Sequence, residues 1–163
     1  MNKILIFGNS GSGKSTLAKY MARKRGLAHL DLDVLAWLPT SPPQRMPIEQ
    51  SRDKIQQFTS RQQDWVIEGC YTDLLTLLQH EATEVVFMDL PIESCIANAE
   101  NRPWEPHKYA TKAAQDANLA MLIDWIKAYK TRADSFSYDA HRRFYDTFTG
   151  KKTVYTENPL LTE

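Results

Sequence analysis

The sequence predicts an α/β protein, a sheet buried on both faces by helices. Three observations predict it. Short apolar runs recur along the chain with helical segments between them. Those runs are continuous rather than alternating, as expected of strands covered on both sides. The first run, Ile4-Leu5-Ile6-Phe7, leads through a glycine-rich loop directly into a helix.

That first unit organises the rest. Gly8-Asn9-Ser10-Gly11-Ser12-Gly13-Lys14-Ser15 fits G-x-x-x-x-G-K-[ST] without departure, and Thr16 to Arg25 reads as the following helix. A triphosphate needs converging donors and little steric bulk. Glycines let successive N–H groups turn inward, and the helix adds the positive end of its dipole. Gly8 to Thr16 is therefore the candidate ATP-binding segment. Lys14 is the cation for the β- and γ-phosphates, and the Ser15 hydroxyl is a ligand for Mg²⁺.

The chain has 163 residues, enough for one domain with a real core. Twenty basic and twenty acidic residues cancel. No bulk field then attracts nucleic acid or a membrane, which argues against direct nucleic-acid binding. Four Trp and seven Tyr suit an aromatic-walled site, although core packing is the commoner use. Cys70 and Cys95 form no ligand pattern and point to a reducing compartment, with Cys70 read as a buried spectator. The N-terminal apolar run is too short for a signal peptide and no stretch matches a membrane span. A soluble cytoplasmic protein, monomer or homodimer, is expected.

Leu27 to Leu32 reads as the second strand. Asp31 and Asp33 follow at a spacing that puts both on one face of an extended backbone, at a strand end where open α/β sheets bind ligands. Such a pair can position a hydroxyl, act as general base or hold metal-bound water; capping the next turn is the competing reading. Ala36 to Pro47 carries four prolines, which exclude a regular helix or central strand and predict a mobile loop. Ile48 to Gln63 is a polar helix. Arg45, Arg52 and Arg61 are the cations available to meet an anionic acceptor, solvated surface positions being their ordinary use. Asp64 to Gly69 is the third strand and ends at Glu68, a candidate for the Mg²⁺ shell, with Gly69, Cys70 and Tyr71 on the same edge.

Leu74 to His80 is a short helix. Glu84 to Leu90 is the fourth strand, whose Asp89 competes with Glu68 for the metal role. Ile92 to Asn101 is the next helix. Asn101 to Lys108 mixes prolines, Trp104 and the groups Arg102, His107 and Lys108, a lid composition. Arg102 is placed to meet the phosphoryl group or stack on adenine. Ala110 to Thr131 is a long helix with Leu119, Leu122, Ile123 and Ile126 as its core stripe, and Arg132 follows it. Asp134 to Phe148 is helical, with His141, Arg142 and Arg143 read as a solvated face. Lys151 to Thr156 is the fifth strand.

With these stretches placed, the chain resembles the small P-loop kinases of the adenylate kinase and shikimate kinase type. Within them it is most similar to the DNA topology modulation proteins, through His29-Leu30-Asp31, the W-V-I-E-G-C-Y stretch and F-M-D-L-P. The resemblance implies a three-layer P-loop NTPase fold, a five-stranded parallel sheet in order 2-3-1-4-5 with a small lid over about 102–132. It implies that Glu68 rather than Asp89 serves the metal. It also makes Asp31 and Asp33 the acids for metal water and substrate hydroxyl, and puts Arg102 and Arg132 at the lid.

Two functions follow. One is an ATP-dependent kinase: Gly8 to Thr16 binds ATP and Ser15, Asp31 and Glu68 organise Mg²⁺. In it Asp33 serves the acceptor with Arg45, Gly69 and Tyr71, and Lys14, Arg102 and Arg132 stabilise the transferred phosphoryl group. The other is a nucleotide-binding regulatory or DNA-associated ATPase with no small-molecule acceptor.

Overall fold

The computed structural model describes residues 1–162. In chain order its elements are β1 (Lys3–Gly8), α1 (Lys14–Arg25), β2 (Ala28–Asp31), α2 (Asp33–Ala36), β3 (Trp37–Leu38), β4 (Gln44–Arg45) and α3 (Ile48–Arg61). They continue with β5 (Trp65–Glu68), α4 (Thr72–Thr76), β6 (Glu84–Met88), α5 (Ile92–Glu100), α6 (Lys112–Lys127), α7 (Tyr138–Thr147) and β7 (Lys151–Tyr155). Five strands form one sheet in the order β2-β5-β1-β6-β7, every pairing parallel. Counted along the chain, these are strands 2-3-1-4-5, the expected order. No helix of the described residues is long and apolar enough to cross a membrane.

The continuous apolar run of β1 follows from its central place. Leu5 and Phe7 point into one core with Trp65, Ile67, Phe87, Leu74, Leu75 and Phe144. Ile4 and Ile6 point into the other, with Leu17, Ala18, Met21, Cys95 and Ile126. Successive side chains alternate sides, yet both sides are dry, so all four are 0% exposed. Each such burial contributes about 1.5–3 kcal/mol. Helices α1, α5 and α6 cover one face, α4 and α7 the other.

The proline-rich stretch and α7 both differ from expectation. The proline-rich stretch is not simply irregular: Trp37 and Leu38 pair antiparallel with Arg45 and Gln44. Three of its prolines sit in the connection, where no ladder N–H is lost, and Pro47 is the N-cap residue of α3. In α7, Arg142 and Arg143 are exposed, but His141 is fully buried. It lies one turn before Phe144, and both face the sheet. Its ring accepts the Tyr129 hydroxyl at Nδ1 (2.6 Å) and donates from Nε2 to the Cys70 carbonyl (2.8 Å). These bonds let a buried imidazole exist, and burial pushes its pKa down to about 4.

Candidate active site

Parallel register gathers the C-terminal strand ends at one edge. Asp31 lies beside Glu68, and Glu68 beside Ile6, just before the loop that opens at Gly8. Gly11 and Gly13 have φ of +77° and +88°, a left-handed backbone that side chains disfavour. A Cβ on Gly11 would strike the Cys95 carbonyl, and one on Gly13 would lie 2.5 Å from Nδ2 of Asn158.

Other elements hold the loop in shape. Asn98 donates to the Gly11 carbonyl (2.8 Å) and to Oδ1 of Asn158 (2.9 Å), and Asn158 donates to the Ser12 carbonyl (3.0 Å). The side chain of Asn9 donates to the Ile126 carbonyl (3.2 Å). Lys14 folds back, its Nζ donating to the Asn9 carbonyl at 2.7 Å. Ser10 is half-buried and Thr16 is exposed on the first turn of α1. Two buried oxygens, Asn9 Oδ1 and Ser12 Oγ, have no partner among the described residues. A curled loop with a folded-back lysine and orphaned polar atoms fits a phosphate chain.

Next to the loop, the Ser15 hydroxyl donates to Oε1 of Glu68 at 2.7 Å, and Glu68 is 2% exposed. Nε2 of His29 lies 2.7 Å from its other oxygen. Asp89, at the end of β6, is half-buried, and its N–H donates to the Tyr155 carbonyl. Of the two strand-end acids, Glu68 is the one in contact with Ser15. This hard-oxygen pair beside the glycine-rich loop fits Mg²⁺.

The acid pair is built differently from a flat strand face. The strand stops at Asp31, and Asp33 opens α2. Oδ1 of Asp31 accepts the Asp33 N–H (2.9 Å), so Asp31 does cap the turn. Both acids nevertheless meet at one cation. Lys108 Nζ lies 2.8 Å from Asp33, 3.6 Å from Asp31 and 3.4 Å from Glu105. His107 stands 3.9 Å from Asp31. Burial, with Asp33 and Glu68 as like charges, raises the Asp31 pKa. Burial pushes Asp33 the same way, but the ammonium of Lys108 and hydrogen bonds from Lys108 and Tyr71 outweigh it and lower its pKa. Burial works against the Lys108 charge, and the two aspartates overcome it and raise that pKa.

The residues predicted to face an acceptor lie beside Asp33, with Tyr71 and Trp37 as an aromatic wall. Tyr71 donates to Oδ1 of Asp33 (2.5 Å) and accepts from Trp37 Nε1 (2.8 Å). Arg45 pairs with Asp73 (3.0 and 3.3 Å) and sits over Tyr71, 4.9 Å from the ring centre. Gly69 packs against Leu32, whose Cβ would lie 2.9 Å from an added Cβ. The Cys70 thiol is pushed up to about 12 by burial, the state of an inert thiol.

Neither predicted lid arginine forms an ion pair with Asp31 or Asp33 among the described residues. Arg102 pairs with Glu105 at 3.1 Å. Arg132 stacks 3.6 Å over the Trp125 ring and donates to the Trp125 carbonyl (2.6 Å). Among the described residues, the cation that touches Asp33 is Lys108, which the sequence reading placed in the lid without a role. His29, Asn98 and Asn158 were also unassigned. His29 carried a signal: two residues before Asp31, it shares that residue's face.

No family model matches the chain, and no curated relative matches it. Solved structures do. A gluconokinase from Sinorhizobium meliloti superposes with a TM-score of 0.57 at 15% identity, covering 98% of this chain and 85% of that one. The fold is that of the P-loop kinases. A shikimate kinase from Acinetobacter baumannii, in complex with shikimate, gives 0.50 at 15% identity over 98% of this chain and 86% of that one. A sugar kinase from Janibacter gives 0.50 at 13% over 96% and 85%. These identities are low, so the likeness is one of fold. It extends over nearly the whole chain.

Proposed function

We propose that the protein is an ATP-dependent phosphotransferase that moves the γ-phosphate to a hydroxyl or phosphate of a small-molecule acceptor. Gly8 to Thr16 bind the triphosphate through backbone N–H groups, and Lys14 leaves the Asn9 carbonyl for the β- and γ-phosphates. Ser15, Glu68 and Asp31 would hold Mg²⁺ and its water, and an ion there would supply neutralising charge for the phosphates. Asp33 receives the acceptor hydroxyl and takes its proton as the acceptor oxygen bonds to phosphorus and the bond to the ADP oxygen breaks. Arg45, Gly69 and Tyr71 shape the acceptor side.

The segment 102–132 acts as the lid. Lys108 is its inner cation, released from Asp33 when acceptor enters, and Arg102 and Arg132 are the outer ones. A cytoplasmic monomer or homodimer suits this reading. Placement in the DNA topology modulation group rests on the short sequence stretches alone, and the balanced charge speaks against direct DNA contact.

The observation that carries the proposal is a division of labour beside one phosphate loop. One carboxylate, Glu68, is buried on Ser15; another, Asp33, has a side chain 35% exposed and is kept ionised by Lys108. A nucleotide switch needs only the first. The test is ATP consumption screened against nucleoside monophosphates, nucleosides and small hydroxylated metabolites. Turnover that rises with one acceptor class is expected. The same slow hydrolysis with every candidate would favour the regulatory ATPase.

A further inference from the structure

Ser15 occupies one oxygen of Glu68; the other, Oε2, meets Nε2 of His29 at 2.7 Å. Pairing of β2 with β5 sets Asp31 opposite Glu68, and His29 projects from the same face two residues earlier. A carboxylate only accepts, so Nε2 carries the proton in this contact. Glu68 is 2% exposed, and its two oxygens therefore draw on two fixed donors from two different elements, α1 and β2.

We propose that His29 is a positioning residue for Glu68. By holding Oε2, it fixes the plane of the carboxylate so that Oε1 stays on the Ser15 side, where the proposed metal–nucleotide would sit. The inference rests on the reading of Ser15 and Glu68 given above. A buried carboxylate oxygen without a donor is costly, so Glu68 deprived of His29 would rotate toward another donor or water. Partners that orient carboxylates at metal sites are typically worth 10–100-fold in metal affinity. His29 needs no contact with nucleotide or acceptor to act in this way.

The test is equilibrium binding of a fluorescent ATP analogue titrated with Mg²⁺, which requires no turnover. His29→Ala should raise the Mg²⁺ needed for half-saturation about tenfold and leave affinity in EDTA nearly unchanged. His29→Gln keeps a donor of similar reach and should recover most of the loss. His29→Asn is too short to reach Oε2 and should behave like His29→Ala, which keeps the test open if the alanine variant does not fold. On a Glu68→Gln background the His29→Ala effect should be much smaller.

Three results would overturn the proposal: an unchanged Mg²⁺ requirement, an equal loss of affinity with and without Mg²⁺, or full additivity with Glu68→Gln. Failure of the underlying reading looks different. Wild-type protein that binds no nucleotide, or binds it without regard to Mg²⁺, removes both. Mg²⁺-dependent wild-type binding with unaltered His29 variants removes this inference alone.

Discussion

Lys108→Met removes the ammonium between three carboxylates while keeping most of the side-chain volume. In the wild type that ammonium lies 2.8 Å from Asp33 and within 3.6 Å of Asp31 and Glu105. A charge-assisted hydrogen bond contributes about 1.5–3 kcal/mol. The Asp33 side chain is 35% exposed, so screening reduces the expected loss to about 1–2 kcal/mol. For a chain of this length that lowers Tm by roughly 2–8 °C.

The pH dependence has a definite sign. Lys108 lowers the folded-state pKa of Asp33 below 3.8, so its stabilisation is present above that value and is lost as pH falls through the folded pKa. Without Lys108, burial is left to raise the Asp33 pKa. The gap between wild type and variant should be full at pH 7 and begin to close as pH approaches 3.8. Thermal unfolding followed by circular dichroism at several pH values measures it. Equal Tm values at pH 7, or a gap that stays constant as pH falls through and below 3.8, would refute the reasoning.

Lys14→Ala should lower ATP turnover a hundredfold or more, about 2.7–4 kcal/mol of transition-state stabilisation, with an unchanged circular dichroism spectrum; steady-state ADP release checks it. His141 is buried neutral with a pKa of about 4 against an ordinary 6.5, so it stabilises above 6.5 and stability falls as pH drops from there toward 4. The loss approaches about 3 kcal/mol, and a flatter urea-denaturation profile over this range for His141→Phe would confirm its source. ATP with Mg²⁺ should slow hydrogen exchange across 102–132; equal protection in both states would remove the lid.

The sheet was legible because its strands are buried on both faces: residues such as Ile4 to Phe7 must all be apolar, whatever the tertiary detail. The curled glycine-rich loop was legible because its residues are consecutive. What stayed hidden depends on remote partners. The contact of Lys108 with Asp31 and Asp33 was hidden because the fold alone brings these residues together, while the resemblance drew attention to Arg102 and Arg132. His141 sits beside two exposed arginines, and its partners, Tyr129 and the Cys70 carbonyl, come from other elements. The flat Asp31–Asp33 face failed for a local reason, since the Asp31 carboxylate caps Asp33 and turns the chain into α2. The hairpin of Trp37 and Arg45 was masked by prolines that in fact occupy its connection.

The central claim is that Asp33 serves an acceptor rather than the nucleotide. Asp33→Asn replaces the carboxylate at nearly equal volume, and the measurement is acceptor-dependent ADP release alongside ATP affinity, using the acceptor identified by screening. ATP affinity within about threefold of wild type, with acceptor-dependent turnover down about a hundredfold or more, is the predicted result. Normal phosphoryl transfer by Asp33→Asn would contradict the account and leave the acid pair as a cap on the turn into α2.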